Sequence, residues 1–529
     1  MPAAEPAAAV LARALGPLLA VALDDPEVVV TDLRRLSGGA SRETWSFGAD
    51  GPVVGRRELI LQRTRPGPSS LAGPSMVAED ALLAAAARAG VPVPQVIVGA
   101  EATAPTLGPA RVTARVAGEA LGRRLVRAER TPEGRRHLAS QWGRALAAVH
   151  SIDPAAVPGL EHRDPLARVR EGLDLVGEAR PAFELALREL AATRPAPGPE
   201  RVVHGDFRVG NLLVDGDELT SVLDWELAHR GDPLEDLGWL CVRAWRFGGE
   251  HEVGGVATLD DLLAAYVAAR GEAVEPDDVR WWIAVGTLTW GLICAVQARR
   301  HLDGHVRSVE LAAIGRRASE NEYDLLRLMF EPEPDARRAP GSAVVSDADD
   351  PHPRNGTPHL PDDPQPRPGH PGDPRARPHP DEPPAPDASD APEDDVALDL
   401  HGRPTAAELL DAVRRHLDDE VTPTLQGSAA FATRVAGNAL GVVERELRLG
   451  PQQHRAHARR LATVGFGSEA ALAAAIRAGE LDGRPEVVEV VRAGVVDRLR
   501  VANPGWLLAP DDPPPADVQP ANDQESPSL

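Results

Sequence analysis

Residues 202–226 read VVHGDFRVGNLLVDGDELTSVLDWE: a short apolar run, a polar loop, then two apolar runs joined by Asp215-Gly216-Asp217. Asp-Gly is hairpin chemistry, because glycine takes the positive φ that a tight turn demands. NLLVDGD and LTSVLDWE are therefore expected as an antiparallel strand pair. The loop before them carries Asp206 and, five residues later, Asn211, while Asp224 closes the second strand. If the loop folds back, Asp206 and Asn211 face one point, and the strand delivers Asp224 beside them. Phosphoryl transfer needs that donor set. One carboxylate positions the attacking hydroxyl and takes its proton; a second carboxylate and an amide oxygen hold Mg²⁺ against phosphates. The bland alternative is that Asp and Asn in turns only make local hydrogen bonds, and Asp215 and Asp217 are read that way. His204 is read as a brace for the loop.

Upstream, the texture is that of a small sheet. PEVVVTDLRRL, ETWSFG and RELILQR are strand-like runs separated by glycine turns. A helix is expected from Ser75 to Ala89, ended by Gly90 and the rigid VPVP, and PARVTARV supplies a further strand. Downstream of the hairpin, helices run to about Phe330. The result is an α+β body, with an N-terminal helix over 1–25, a sheet-rich lobe over 26–115 and a helical lobe over 116–332. Residues 333–397 are crowded with proline, aspartate, histidine, arginine and glycine. Such a segment buries too little apolar surface to offset its chain entropy, so it is expected as a disordered linker. A separate all-α domain follows over 398–503. It opens with HGRPTAAELLDAVRRHLDDEV, where Ala406, Leu409, Leu410, Val413 and Leu417 recur at helical spacing behind Thr405 as N-cap and Glu408. Residues 504–529 are expected as a disordered tail.

At 529 residues the chain exceeds one ordinary domain. Its 57 basic residues stand against 80 acidic ones, a formal net charge of −23. That surplus repels phosphate backbones and anionic lipid, so neither nucleic acid nor a membrane surface is an expected partner. Every one of the 57 is arginine, so any phosphate contact from a basic side chain comes from a guanidinium, and lysine chemistry is excluded. Cys241 and Cys294 are too few for a disulfide framework or a metal cage, and a reducing, cytoplasmic location is expected. The alanine-rich N-terminus, interrupted by Glu5 and Arg13 and without a basic leader, reads as a helix rather than a signal peptide. Residues 281–298 carry no charge for 18 residues, close to a membrane-spanning length. Gly286, Gly291, two threonines and Gln297 inside that run argue for a buried core helix.

With LSGGASRETW, VPVP, VVHGDFRVGNLLVD, VLDWELAHRGDPLEDLGWL and WWIAVGTLTWGLICAVQARR in this order, residues 27–330 resemble the aminoglycoside phosphotransferase and choline kinase-like family. They are most similar to the kinase-like domains fused to some acyl-CoA dehydrogenases. The resemblance implies a two-lobed protein-kinase-like fold, ATP and Mg²⁺ between the lobes, and phosphate delivered to a hydroxyl of a small molecule. By it, Asp206 is the catalytic base, and Asn211 and Asp224 are the metal ligands. Ser37, Gly38, Gly39 and Ser41 belong to the loop that covers the nucleotide phosphates, and Glu79 braces a phosphate-binding cation. The chain departs from the family at that cation. The third strand reads Glu58-Leu59-Ile60-Leu61-Gln62-Arg63, and alternation puts Gln62 at the cation's position with Arg63 on the opposite face. A bulge would bring Arg63 inward as the nucleotide-binding arginine, and Arg65 is also near. A pseudokinase that binds nucleotide and presents its C-terminal domain to a partner stays open, as does an antibiotic-modifying kinase. Acceptors implied by resemblance include hydroxylated acyl thioesters, aminoglycosides and choline. The C-terminal helices resemble an uncharacterised domain that accompanies such kinases, and a homodimer or protein partner through them stays open.

Overall fold

The computed structural model describes residues 7–36, 42–64, 73–331 and 404–507. Ser37, Gly38, Gly39 and Ser41, Arg65, the run expected as a linker, and the tail from 508 lie outside the described residues.

The first lobe runs α1 (Ala7–Ala22), β1 (Val29–Arg35), β2 (Arg42–Gly51), β3 (Gly55–Thr64), α2 (Met76–Ala89), β4 (Val96–Val98), α3 (Ala100–Leu107) and β5 (Ala110–Ala114). The strands form one antiparallel sheet in the order β1-β2-β3-β5-β4. Side-chain alternation sorts its faces. Phe47, Ala49, Leu59, Leu61, Ala110 and Val112 pack with Leu11, Leu15 and Leu19 of α1 into one apolar cluster. The opposite face carries Thr44, Gln62 and Arg111 side by side in register. It faces α2, which starts where Ser75 Oγ accepts the Ala78 N–H at 3.2 Å and stops at Gly90, φ 88°.

The second lobe is built from α4 (Gly122–Arg127), α5 (Pro132–Val149), α6 (Pro165–Val176), α7 (Pro181–Ala192), β6 (Arg201–Val203), β7 (Leu212–Asp215), β8 (Glu218–Val222), β9 (His229–Gly231), α8 (Leu234–Leu240), α9 (Leu259–Arg270), α10 (Pro276–Leu302), α11 (Val309–Gly315) and α12 (Ala318–Phe330). β7 and β8 form the hairpin, and β6 pairs with β9. Phe207, Leu212, Val222 and Trp225 anchor both short sheets in a core with Leu138, Trp142 and Leu146 of α5. Among the described residues, α10 is the one helix long and apolar enough to cross a membrane, and 78% of its apolar window is buried. It packs against α8, α11 and α12.

The C-terminal helices are α13 (Ala406–Arg415), α14 (Gly427–Thr463), α15 (Glu469–Ala478) and α16 (Pro485–Ala502). Leu461, Leu472, Ile476, Val487, Val491, Val495 and Leu499 share one buried cluster with Ala182 of α7 and Leu326 of α12. This all-helical region is therefore packed on the helical lobe.

Candidate active site

Val203 ends β6, and the chain turns sharply at Gly205, φ 78°, where a β-carbon would stand 2.5 Å from the Leu227 carbonyl oxygen. Only glycine fits there. Asp236, at the start of α8, braces the turn. Its carboxylate accepts the His204 N–H at 2.7 Å and the Gly205 N–H at 2.9 Å, and it lies 3.1 Å from His150 Nε2. Those bonds hold the Asp236 carboxyl below its ordinary value despite full burial. His204 is buried, which pushes its imidazole pKa down. Its Nδ1 accepts the Asp206 N–H at 3.2 Å, so Nε2 carries the proton and donates to the Leu223 carbonyl at 3.0 Å. A neutral histidine thus ties the loop to the end of β8.

Asp206 is the most constrained side chain of the loop. One carboxylate oxygen accepts from Arg208 Nε and from Trp239 Nε1, both at 2.9 Å, and the other accepts from Asn211 Nδ2 at 2.6 Å. Asn211 Nδ2 also donates to the Asp206 carbonyl at 2.9 Å, which commits its amide hydrogens and leaves its oxygen as the group for an outside ligand. The Arg208 guanidinium lies 4.6 Å from the Trp245 ring centroid. Trp239 and Arg208 were not expected here as partners of Asp206. Trp239 lies thirty-three residues downstream, and no local pattern ties it to the loop.

Asp224 follows β8 in the left-handed region, φ 64°, partly exposed. Desolvation, with Glu226 and Asp206 nearby, raises its carboxyl to about 7, while Arg42 and Arg208 oppose the shift. Carboxylates crowded in this way gain from a divalent cation, which is the fit expected of a metal site. Among the described residues no group of three His, Cys, Asp or Glu side chains could hold a metal alone. A donor set of one carboxylate and one amide oxygen, completed by phosphates, does not require such a group.

Glu79 is fully buried. It does not meet β3. Arg63 lies 3.6 Å from Glu43, on the face of the sheet shared with Leu59 and Leu61, and Gln62 takes the position facing α2. No bulge interrupts the β2–β3 register, so Arg63 is not turned inward. Glu79 instead receives Arg42, the first residue of β2, and Arg111 of β5. Sequence reasoning missed both. Arg42 sits inside the quoted LSGGASRETW, and its neighbour across the sheet could not be read from that text.

A five-stranded lobe with one helix bracing its inner face, a helical lobe, and a loop-plus-hairpin bearing Asp206, Asn211 and Asp224 define the mixed α/β, kinase-like fold. Residues 32–282 match the model of the Phosphotransferase enzyme family, so the chain carries a phosphotransferase domain. Residues 423–506 match a second model, Domain of unknown function (DUF6285). The chain is 39% identical over 64 residues to acyl-CoA dehydrogenase family member 10 of Mus musculus, a match over 12% of this chain and 6% of that protein. It is 33% identical over 82 residues to acyl-CoA dehydrogenase family member 11 of Homo sapiens, over 14% and 10%. The chain thus spans about a tenth or less of the length of these two relatives. The macrolide 2'-phosphotransferase MphH from Brachybacterium faecium is 21% identical with a TM-score of 0.41, covering 60% of this chain and 99% of that one.

Proposed function

We propose that the chain is a MgATP-dependent phosphotransferase that phosphorylates a hydroxyl of a small molecule. The observation that carries this reading is Asp206, fixed by three side-chain donors, one of them Asn211 at 2.6 Å. An ordinary turn aspartate has no need of such a bracket. Asp206 orients the acceptor hydroxyl and takes its proton as the acceptor oxygen bonds to the terminal phosphorus and the bond to ADP breaks. The Asn211 amide oxygen and the Asp224 carboxylate would hold Mg²⁺, which would supply neutralisation of charge on the phosphates. The resemblance assigns Ser37, Gly38, Gly39 and Ser41 to the loop that would cover the nucleotide phosphates, and Glu79 would hold the cation that meets them.

Gln62 favours a second reading, a protein that binds nucleotide without turning it over. Incubation of the full chain with MgATP and a metabolite extract, followed by mass spectrometry, separates the two. New phosphorylated species are expected, and Asp206→Asn should lower their formation about 10²- to 10⁴-fold while preserving the nucleotide-induced melting shift. A melting shift with no phosphorylated product in the unaltered protein would overturn the kinase reading in favour of the binding module.

A further inference from the structure

A fully buried carboxylate such as Glu79 persists only where cations meet it. Two arginines do so here, and they are not equivalent. Arg111 is 3% exposed, and its second terminal nitrogen lies 3.3 Å from Asp80. Asp80 in turn accepts the Ala100 N–H at 2.6 Å, at the start of α3. Arg111 is thus spent on holding the first lobe together. Arg42 is 12% exposed. Its Nη1 donates to Glu79 Oε2 at 2.8 Å, Nη2 donates to Oε1, and Nε lies 3.2 Å from Glu226. Glu226 is two residues past Asp224, so this contact ties Arg42 to the segment that carries Asp224. Arg42 therefore spans from the first lobe's helix to the loop that carries Asp224.

We propose that Arg42 is the phosphate-binding cation of this chain, delivered from β2 in place of the β3 side chain that Gln62 lacks. The inference rests on the reading of this cleft as a MgATP site. The reach is physically adequate. β2 and β3 are neighbours, ~4.8 Å apart, and an arginine's length covers that offset. Its planar fork keeps one edge on Glu79 while the other exchanges the Glu226 carboxylate for a phosphate oxygen. The exchange is open to Arg42 because the Glu226 side chain is 21% exposed and keeps water when the guanidinium leaves it, while a phosphate offers the same fork more charge. Arg111, with its ends on Glu79 and Asp80, keeps Glu79 in place meanwhile.

The test measures MgATP and adenosine binding by the full-length protein and by Arg42→Gln, Arg42→Lys and Arg42→Gln/Gln62→Arg. Arg42→Gln should weaken MgATP about 10- to 100-fold, the value of a charge-assisted hydrogen bond, and leave adenosine, which has no phosphate, within about twofold. Arg42→Lys keeps the charge but loses the fork that spans Glu79 and a phosphate, so it should weaken MgATP several-fold and leave adenosine unchanged. Gln62→Arg, restoring a cation on β3 opposite Glu79, should recover at least a few-fold of the loss. Unchanged MgATP binding in Arg42→Gln, or equal losses for MgATP and adenosine, would overturn the assignment. If Arg42→Gln fails to fold, the lysine variant decides, since a merely structural arginine predicts no phosphate-specific change. No MgATP binding by the unaltered chain would instead sink the underlying nucleotide reading, and this inference with it.

Discussion

Asp224 holds a conformation that residues with a β-carbon avoid, φ 64°, in surroundings that raise its carboxyl to about 7. The folded state therefore keeps this proton more tightly than the unfolded chain, whose value is 3.8. The stabilisation it contributes is whole below the unfolded value and is lost as pH rises through about 7. Without metal, the melting temperature of Asp224→Asn should fall less between about pH 5 and about pH 8 than that of the unaltered protein. Differential scanning fluorimetry reads it directly, and parallel declines for the two proteins would discard the idea. The residues of this site differ in how far the sequence discloses them. Asp206 and Asn211 lie within six residues of one loop, and Asp224 closely follows a strand that leaves a visible Asp-Gly turn, so their proximity is local information. Arg42, Arg111 and Glu79 meet only because β2, β3 and β5 pair in one register, and pairing across strands leaves no trace within a short window. The departure at Gln62 was legible; the side chain that fills the gap was not.

At the scale of elements, α8 is the bracket of the site. Asp236 holds the His204 turn from one side of the helix, and Trp239 donates to Asp206 at 2.9 Å. The position of α8 is set by how closely it approaches α10. A β-carbon on Gly238 would stand 2.5 Å from the Trp282 carbonyl carbon and 2.8 Å from the Ile283 nitrogen, both backbone atoms that cannot swing aside. Gly238→Ala should therefore push the two helices apart, costing about 1–3 kcal/mol of stability, and should shift Trp239 off Asp206. Steady-state kinetics should then give a kcat reduced on the order of tenfold or more with nucleotide KM little changed, since misplacing the acceptor's base leaves nucleotide contacts alone. A change confined to nucleotide KM would refute α8 as the bracket. The burial of α10 was readable from its glycines, threonines and Gln297. Its partner was not, because the small residue that permits the contact, Gly238, reads in sequence as any other glycine.

At the scale of the molecule, the C-terminal helices do more than follow the kinase-like body. Arg477 donates to Asp174 and to Glu184, each at 2.7 Å, and Arg188 Nε donates to Asp482 at 3.1 Å. Glu322, fully buried on α12, lies 3.4 Å from Arg180 of the helical lobe and 3.3 Å from Arg498 of α16. Arg243 lies 4.4 Å from the Trp506 ring centroid, and Trp506 Nε1 donates to Asp324 at 3.1 Å. Arg243 is two residues before Trp245, whose ring faces the Arg208 guanidinium beside Asp206. In sequence the two regions stand apart, and the apolar faces of α15 and α16 look the same whether they pack on each other or on another lobe. The shared cluster implies shared stability. Removing everything after residue 331 would uncover Leu326, which is 1% exposed, and leave Glu322 with half its cationic surroundings. A buried carboxylate stripped of one partner is strongly destabilising. The full chain should melt in a single calorimetric transition, and the body ending at residue 331 should melt on the order of 5 °C lower. Binding of a dye for exposed apolar surface should rise in the shortened protein as Leu326 meets water. Two separate transitions in the full chain, with the upper one unchanged in the shortened body, would mean that the shared cluster contributes nothing, and the helical region would then be a passenger.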